Sequence, residues 1–547
     1  MPRIRYLPHY YEPLLVAVDY VVRGPRTAAA VAAGATQLLG MDYQTADSAL
    51  QYVEASNIPG VLHGLGQRPR VYSDAHFALA VEMHNDLPSL ADIADVDDIR
   101  TMLCLLYGQD RLGDEIPTLT RADHVNIAID RTNHPLALHA RLLQEIQASG
   151  MYALYREIEV PVLAPVLAMT FAGLPVNRPV LEGIKESRGA QMEIARWQLQ
   201  ELAGRPINLD SAIEVAEYLY DELKLPVPAY TPNGNPSTGN RALQLLAEVH
   251  PVVPFMLRYQ THKPARDAAD SLLAHLAADN RVYAELDPLG AATGRFSCRE
   301  PNLQGLAAPV LQAIEAAPGC VLMEADYSQM ELRVLAHFSR DAGLLHAFQH
   351  DIDLHRRTAA RVLGIAEADV TDQQRQLGKT LNFGIVFGQT AYGLADELAI
   401  SMQRAEAMLA AHAATYPGGT AWIAEVHRQV ANTGEVRTLY GRRRYLPNIY
   451  STLPGAVAEA QRQAVNAVVQ GSAADLLKLA LVRLHAELPT SVRMLLPVHD
   501  SILLEVPANL VEATREIVTN AMQAAPPGFT LPLTVDIQTG RTWADCK

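Results

Sequence analysis

Cysteine is scarce in this sequence, and the cysteines that it has stand far apart. They are Cys104, Cys298, Cys320 and Cys546, so no two have the C-x-x-C spacing of a zinc site. Cysteines scattered in this way also give no disulfide framework, which favours a reducing compartment. We therefore expect a cytoplasmic protein.

Long apolar runs are also missing from the printed sequence. No stretch approaches the ~20 consecutive apolar residues that span a bilayer. The first 22 residues place basic residues before an apolar patch, but Glu12, Pro13 and Asp19 interrupt it, which makes a poor signal peptide. We expect no membrane partner.

Basic residues are fewer than acidic ones. The sequence has 45 Lys and Arg and 60 Asp and Glu, which gives a net charge of −15. This balance argues against a protein that coats nucleic acid over its whole surface. A locally basic cleft stays compatible with it, since binding depends on where the cations lie. The length of 547 residues predicts about two to four domains.

The N-terminal 150 residues have a mixed pattern. Residues 14–22 are typical of a strand that carries Asp19, and residues 27–40 of a helix closed by Gly40. Further acids follow, which we interpret as solvated faces: Asp86, Asp92, Asp95, Asp97, Asp98 and Asp130.

Helices dominate the next region, and strands return near residue 281. The patterns predict these elements in order: helices at 154–172 and 189–204, an exposed and mobile loop at 230–240, a strand at 281–286, helices over 340–435, a basic hairpin at 438–447 and a helix at 459–488.

One stretch, residues 321–338, organises the rest of the chain. The apolar run 321–325 stops at Asp326, and a helix-like pattern with Gln329 and Glu331 follows. An acid at the end of a buried strand is suited to act as a reactive group at the strand's exposed tip. The alternative is that Asp326 caps the following helix.

A second constellation combines cations and rings. Arg375, Lys379, Phe383 and Phe387 recur every four residues, so each step drifts only ~40° around a helix. Cations on the same stripe as rings suit a nucleoside triphosphate, although an amphipathic helix with buried rings is the alternative. A phosphate loop at Gly378 is rejected, because the required earlier glycine is Gln373.

A third constellation is the turn His499-Asp500-Ser501 between two short apolar runs. Asp500 alone would be an ordinary turn former. Together with Asp326 it supplies a carboxylate pair of the kind that shares Mg²⁺ in phosphoryl transfer.

The helix at 459–488 carries Arg462, Asn466 and Gln470 on one stripe. Such a stripe is either a solvated face or a row of hydrogen-bonding groups that follow a nucleic-acid backbone and minor groove.

These motifs resemble family A DNA polymerases of the bacterial polymerase I type, over about residues 150–547. DYSQMELR (326–333), residues 375–388 and VHDS (498–501) are similar to that family's motifs A, B and C. The supporting matches are TGRF and PNLQG (293–305), DLHRRTA (353–359), YGRRRYLP (440–447), RQAVNAVVQGSAAD (462–475) and TGRTWADCK (539–547).

The resemblance implies a catalytic centre in which Asp326 and Asp500 ligate two Mg²⁺ ions with help from the Tyr327 carbonyl, while Lys379 also protonates the leaving pyrophosphate. The implied dNTP-binding residues are Tyr327, Gln329, Glu331, His355, Arg375, Lys379, Phe383 and Phe387. The implied DNA contacts are Arg266, Arg295, Asn302, Gln304, Arg462, Asn466, Gln470 and His499. Glu331 would close the sugar pocket against a 2′-hydroxyl.

The implied fold is a mixed α/β right hand. Its expected parts are an exonuclease-like domain at 1–150, a thumb with connecting helices at 151–276, palm at 277–327, fingers at 328–462 and palm again at 463–547. The implied partners are primer-template DNA, dNTPs and other replisome proteins, and the implied state is a monomer.

Three positions depart from the family pattern. Phe387 stands where Tyr is usual, Ser501 where Glu is usual and Gly305 where Asn is usual. Because the missing Tyr hydroxyl normally supports Glu331, we predict a modestly higher ribonucleotide insertion rate than in the Phe387→Tyr variant. Equal rates would contradict this prediction.

The exonuclease-like domain departs further from its relatives. Val21 stands where the second acid of a D-x-E strand belongs, Asp86 has compressed spacing, and Asn126 replaces the Tyr that precedes the last acid, Asp130. Loss of a metal ligand and of a water-orienting group predicts a shortened and inactive domain.

Three functions are compatible with these motifs: a template-directed DNA polymerase, a catalytically silent DNA-binding scaffold of replication, and a single-subunit RNA polymerase. Intact Asp326, Asp500, Arg375 and Lys379 argue against the scaffold, and Glu331 argues against the RNA polymerase. The compact architecture, without room for a 5′ nuclease, favours a phage replicase acting in the host cytoplasm.

Overall fold

The computed structural model describes most of the chain. The described residues are 16–23, 27–45, 51–65, 70–72, 75–85, 96–107, 135–231, 233–386, 388–526 and 528–547. The expectations for residues 1–15 and for Asp86, Asp92, Asp95, Asn126, Asp130 and Phe387 lie outside the described residues.

The strands are short and lie in several sheets. In chain order they are β1 (Val16–Arg23), β2 (Gln37–Thr45), β3 (Gln51–Glu54), β4 (Arg70–Tyr72), β5 (Val96–Asp98), β6 (Leu174–Pro175), β7 (Arg281–Val282), β8 (Glu285–Asp287), β9 (Ser297–Arg299), β10 (Cys320–Tyr327), β11 (Glu435–Arg437), β12 (Arg443–Tyr445), β13 (Arg493–Val498), β14 (Ser501–Pro507) and β15 (Val535–Gly540).

Helices make up more of the described chain than strands do, and the predicted mixed α/β class is confirmed. In chain order they are α1 (Ala28–Ala32), α2 (Ile58–Leu65), α3 (Ala75–His84), α4 (Ile99–Tyr107), α5 (Pro135–Ala148), α6 (Leu163–Ala172), α7 (Arg178–Ala203), α8 (Ala212–Ala216), α9 (Asn240–Leu246), α10 (Val253–Ala274), α11 (Met330–Ser339), α12 (Ala342–Gln349), α13 (Leu354–Leu363), α14 (Asp372–Val386), α15 (Ala391–Leu398), α16 (Met402–Thr415), α17 (Pro417–Thr433), α18 (Pro454–Glu487) and α19 (Val511–Gln523). A π-helical turn, Tyr155–Glu159, precedes α6.

The chain divides into two compact units. The first contains residues 1–172, 284–299 and 324–537, and the second contains residues 173–283, 300–323 and 538–547. The boundaries expected for thumb, palm and fingers stay predictions.

A five-stranded mixed sheet in the order β3-β2-β1-β4-β5 forms the N-terminal part of the first unit. β1 pairs antiparallel with β2 and parallel with β4. The predicted helix at 27–40 is wrong beyond Ala32, because Gly34 turns the chain with φ of +73° and β2 begins at Gln37. Residues 37–40 are a strand because they pair with β1. The local sequence pattern alone did not reveal this pairing.

The interpretation of Asp97 and Asp98 as solvated acids is also wrong, since their exposed fractions are 8% and 1%. Asp97 accepts hydrogen bonds from Tyr155 and Arg156 at 2.9 and 2.8 Å, and Nε2 of His139 lies 3.0 Å away. The partners of Asp97 stand far away in sequence, so this acid looks solvated until the chain is folded. Asp98 also has local partners, since it accepts hydrogen bonds from the amides of Arg100 and Thr101, both at 3.2 Å.

The second unit is built on α7 and α10, which pack along each other. Asn177 caps α7 by accepting a hydrogen bond from the Val180 amide, and Gly204 ends the helix in the left-handed conformation. The strand predicted at 281–286 is wrong as a single element. It breaks into β7, which pairs with β6, and β8, which pairs with β9.

A four-stranded sheet, β13-β14-β10-β15, carries the candidate site of the first unit. A hairpin is present, but its first strand, β11, precedes the predicted range 438–447, and only β12 lies inside that range. The helix predicted at 459–488 lies in α18 up to Glu487, and α18 begins five residues earlier, at Pro454. Contrary to the expectation from the printed sequence, α18 is long and apolar enough to cross a membrane by length and composition. However, 78% of its apolar window is buried inside the protein, as in the core helix of a globular fold.

Candidate active site

The two acids singled out in the sequence come together at the ends of neighbouring strands. Asp326 is exposed near the end of β10, and the amide of Tyr327 donates to the carbonyl oxygen of Asp500 at 3.2 Å. The capping interpretation of Asp326 is wrong, since Gln329 with φ of +56° is the residue that precedes α11. The Tyr327 side chain points away into the core, where its hydroxyl donates to the Met522 carbonyl at 2.8 Å.

Asp500 lies in the tight turn that joins β13 and β14. Ser501 already pairs with Val498, and His499 takes a φ of +53° to close the turn. Burial raises the pKa of the Asp500 carboxyl, while Arg295 and His499 act to lower it. Ser501 replaces the usual Glu and donates to the buried Glu324 at 2.9 Å, so this departure forms a stabilising contact.

Arg295 connects Asp500 with Glu331. Its Nη2 donates to Oε1 of Glu331 at 2.5 Å and lies 3.6 Å from Oδ1 of Asp500. Glu331 is only 4% exposed in the first turn of α11. Burial raises its pKa to about 7, with Arg295 opposing the shift and Asp500 adding to it. The sequence did not predict that Arg295 holds Glu331; the resemblance placed Arg295 on DNA.

Helix α14 presents Arg375, Lys379 and Phe383, as the four-residue spacing predicted. Nε of Arg375 donates to Asp353 at 2.6 Å, and the Phe383 and His355 rings lie 5.7 Å apart. Burial lowers the pKa of His355 to about 4; the cations Arg375 and Lys379 add to the shift and Asp353 opposes it. Asp353 was missed as a functional residue, although it stands two residues before His355.

Gly378 is a packing residue inside α14. A Cβ there would lie 2.0 Å from the carbonyl oxygen of His355, so α13 and α14 approach too closely for any side chain. This placement agrees with the rejection of a phosphate loop. Asn382, which sequence reasoning missed, joins the two helices through Nδ2, 3.0 Å from Nδ1 of His355.

Helix α18 presents Arg462, Asn466 and Gln470, each half-buried. Arg462 forms an ion pair with Glu459 one turn earlier, and its side chain packs against the backbone of Gly388. Within the described part of the chain, three buried polar atoms of predicted site residues have no hydrogen-bond partner: Nε of Arg295, Oε1 of Gln329 and Oδ1 of Asn466. Of these atoms, Oδ1 of Asn466 belongs to the stripe on α18. Because this atom is buried and all three stripe residues are half-buried, the stripe is not simply a solvated face.

Three predicted DNA contacts belong to the second unit. Arg266 forms an ion pair with its neighbour Asp267, with 3.1 Å between Nε and Oδ1. Asn302 is exposed, and its side chain accepts a hydrogen bond from the amide of Gln304 at 3.0 Å.

The donor set at the strand ends fits Mg²⁺ that is shared with a substrate. Two carboxylates and a backbone carbonyl are hard oxygen ligands, and Mg²⁺ is commonly held by one or two carboxylates plus substrate phosphates. Among the described residues no cluster of three or more His, Cys, Asp or Glu could hold a metal ion alone. A half-buried Asp500 with a raised pKa is the kind of carboxylate that a nearby cation would stabilise.

Comparison with known proteins agrees with this geometry. The family model "DNA polymerase family A" matches residues 178–545. A thermostable DNA polymerase I of Thermus filiformis is 36% identical over 404 residues, which cover 72% of this chain and 48% of the relative. DNA polymerase I of Pseudomonas aeruginosa is 37% identical over 422 residues, covering 75% of this chain and 46% of the relative. The chain thus spans about half the length of these curated relatives.

A solved structure extends the similarity to nearly the whole chain. It is the POL domain of Pol1 from M. smegmatis in complex with DNA primer-template and dNTP, with 29% identity and a TM-score of 0.86. The match covers 97% of this chain and 95% of that chain. The chain belongs to DNA polymerase family A, and the predicted resemblance and fold are confirmed.

Proposed function

We propose that this protein is a template-directed DNA polymerase that adds deoxynucleotides to a primer 3′ end by phosphoryl transfer. The observation that carries the proposal is the hydrogen bond from the Tyr327 amide to the Asp500 carbonyl, which brings the end of β10 that carries Asp326 next to the turn that carries Asp500, beside the Arg295–Glu331 ion pair. Family membership agrees with this chemistry.

Asp326, Asp500 and the Tyr327 carbonyl would hold the Mg²⁺ ions. When bound, these ions lower the pKa of the attacking primer hydroxyl and neutralise charge on the phosphates. The protein's own contribution is to place Asp326 near the end of β10, Asp500 in the adjacent turn between β13 and β14, and Arg295 beside Asp500. In-line displacement needs this positioning more than covalent chemistry.

The triphosphate would lie along α14. Arg375 and Lys379 supply positive charge, and Lys379 would donate the proton to the leaving pyrophosphate. His355 stays neutral near pH 7 because its pKa is about 4, so it binds phosphate as a hydrogen-bond donor. Phe383 would pack on sugar and base, with Gln329 and the backbone of Tyr327 completing the pocket.

Sugar selection would depend on Glu331. Its side chain is buried and held by Arg295, and we assign to it the role of closing the sugar pocket against a 2′-hydroxyl. The side chains proposed to contact DNA are Arg266, Arg295, Asn302, Gln304, Arg462, Asn466, Gln470 and His499. The polar atoms of Arg295 and Asn466 without protein partners among the described residues support this role.

The M. smegmatis domain binds primer-template DNA and dNTP, and we assign the same partners to this chain. We propose that the enzyme acts in DNA replication in the cytoplasm, as a monomer alongside other replisome proteins. We also propose that it is encoded by a phage.

Primer extension with Mg²⁺ and dNTPs tests the proposal directly. Template-dependent extension is expected. DNA binding without extension would identify a silent scaffold, and preference for NTPs would identify an RNA polymerase.

The same assay on matched and mismatched primer ends tests the N-terminal domain. We expect equal mismatch removal, near background, by wild type and by the Asp19→Ala variant. Excision by wild type that the variant lacks would contradict an inactive exonuclease-like domain.

A further inference from the structure

Four charged side chains form a buried cluster in the first unit, away from solvent. They are Glu159, Arg442, Asp475 and Lys478, which we call the buried charge cluster; none is more than 5% exposed. Arg442 forms ion pairs with Glu159 and, at 2.5 Å, with Asp475. Nζ of Lys478 lies 2.7 and 3.0 Å from the two carboxylate oxygens of Glu159.

Glu159 joins this cluster to the N-terminal sheet. It is the last residue of the π-helical turn Tyr155–Glu159. In the same turn, Tyr155 and Arg156 hold Asp97 of β5 at 2.9 and 2.8 Å. A short rigid turn therefore connects β5 with the buried charge cluster.

The cluster lies directly against the loop that carries Arg295. Gly294 has φ of +83°, and a Cβ on it would lie 2.5 Å from Nε of Arg442. Nζ of Lys478 lies 5.8 Å from the centroid of the Phe296 ring, within cation–π range. Both neighbours of Arg295 thus rest on the cluster, while Arg295 itself reaches Glu331 and Asp500.

Burying such charges is costly, and well-packed apolar residues would often give equal or better stability. Stability alone therefore does not explain why charged residues occupy this place. The contacts of Arg442 with Gly294 and of Lys478 with Phe296 give them a second role, which is to hold the loop that carries Arg295. Ion pairs with fixed donor geometry hold the loop backbone in one place, and a small shift of that backbone would move the Arg295 guanidinium away from Glu331.

We propose that Glu159 is a positioning residue that, through Arg442 and Lys478, fixes Arg295 against Glu331 and so sets the selection of deoxyribonucleotides over ribonucleotides. The π-helical turn Tyr155–Glu159, which lies outside the polymerase site, thereby supports sugar selection there. This inference rests on the proposed polymerase function.

The test compares Glu159→Gln with the matched control Glu82→Gln. Glu82 is likewise fully buried and pairs with Arg70 at 2.9 Å, and it accepts hydrogen bonds from Tyr20 and Tyr72 of the N-terminal sheet. For each variant, kcat/KM for a dNTP is divided by kcat/KM for the matching rNTP. This ratio does not depend on how much of the preparation is folded.

We expect the ratio to fall about tenfold in Glu159→Gln and to change less than about twofold in Glu82→Gln. Glu159→Asp keeps the negative charge on a side chain that is one methylene shorter. Its ratio is expected to lie between those of Glu159→Gln and Glu82→Gln. It also serves if Glu159→Gln does not fold. An unchanged ratio in both Glu159 variants would overturn the inference. Failure of the wild type to extend primers would instead overturn the proposed function.

Discussion

The two sheets of the first unit use their acids in opposite ways. In the N-terminal sheet, Asp97 accepts hydrogen bonds from Tyr155 and Arg156, with His139 at 3.0 Å. In the second sheet, Nη2 of Arg295 lies 3.6 Å from Oδ1 of Asp500, beyond hydrogen-bond distance. Burial raises the pKa of Asp97, but His139 and Arg156 more than offset it, so the net shift is downward. For Asp500 the net shift is upward.

This difference separates structural acids from acids that are suited to bind something else. An acid whose oxygens are filled by protein donors stabilises the fold. An acid that is desolvated without full compensation gains most from a cation brought by a ligand. Asp97 lies within β5 and the candidate metal ligand Asp326 lies within β10, so position on a sheet does not distinguish the two types.

The largest effect is expected at the second sheet. Asp326→Asn or Asp500→Asn should lower kcat by at least about a thousandfold, because a metal ligand is lost. The unfolding temperature should stay within a few degrees of the wild type, as measured by thermal unfolding. Asp536→Asn is the control on the same sheet, with an expected change in kcat below about threefold. A mild loss in either site variant would contradict the metal-ligand assignment.

For Asp97→Asn we expect a loss of stability without a loss of activity. Removing its charge leaves Arg156 and its other donors poorly paired in a buried site, which should cost about 3–5 kcal/mol of folding free energy. Activity per folded molecule should stay near wild type, measured by denaturant unfolding and by active-site titration. If Asp97→Asn lost activity without losing stability, the division between the two sheets would fail.

Acid should destabilise the region around α14. His412 lies on α16, with its Nε2 3.0 Å from Oδ1 of Asn382 on α14. The folded-state pKa values of His355 and His412 are about 4, each mainly because of burial. Between pH 6.5 and 4 the unfolded chain binds protons that the folded chain does not, so stability falls as the pH falls. The loss is on the order of 3 kcal/mol per histidine at most.

Unfolding midpoints at pH 6.5 and 4 check this expectation. The acid-induced drop should be smaller in His412→Gln than in the wild type, and unchanged in the exposed control His275→Gln. Equal drops in all three proteins would contradict the assignment of the acid sensitivity to buried His412.

A smaller effect is expected at Asp353, which belongs to both classes of acid. It caps α13 by accepting from the Arg356 amide at 3.0 Å, and it also orients Arg375 at 2.6 Å. Asp353→Asn should raise KM for dNTPs about tenfold with kcat changed less than about threefold, because a triphosphate-binding cation loses its orientation. The control is Asp372→Asn, an exposed acid 3.5 Å from Arg356; an equal effect there would contradict a specific role of Asp353.

Sequence alone predicted the parts of the site that are local. Asp326 follows an apolar run, Asp500 lies between two such runs, and Arg375, Lys379 and Phe383 recur every four residues; each pattern is contained in a short window. The contacts that it missed join distant segments: Arg295 with Glu331, Asp353 with Arg375, and Tyr155 with Asp97. No periodicity within one element records such pairs.

The same reason explains the errors in the fold. Residues 37–40 continue a helical pattern, but pairing with β1 makes them a strand. Residues 281–286 alternate like one strand, but their two halves pair with different partners. In both segments long-range pairing outweighed local preference.

Gly378 has a consequence for anyone who seeks a more heat-resistant variant of this protein. A glycine inside a helix costs roughly 1 kcal/mol relative to alanine, so Gly378→Ala would be an obvious choice in a stabilising library. Here the added methyl group would collide with the His355 carbonyl and push α13 away from α14. His355 and Arg375, which lie on those two helices, would then separate, so position 378 should be left unchanged in such a library.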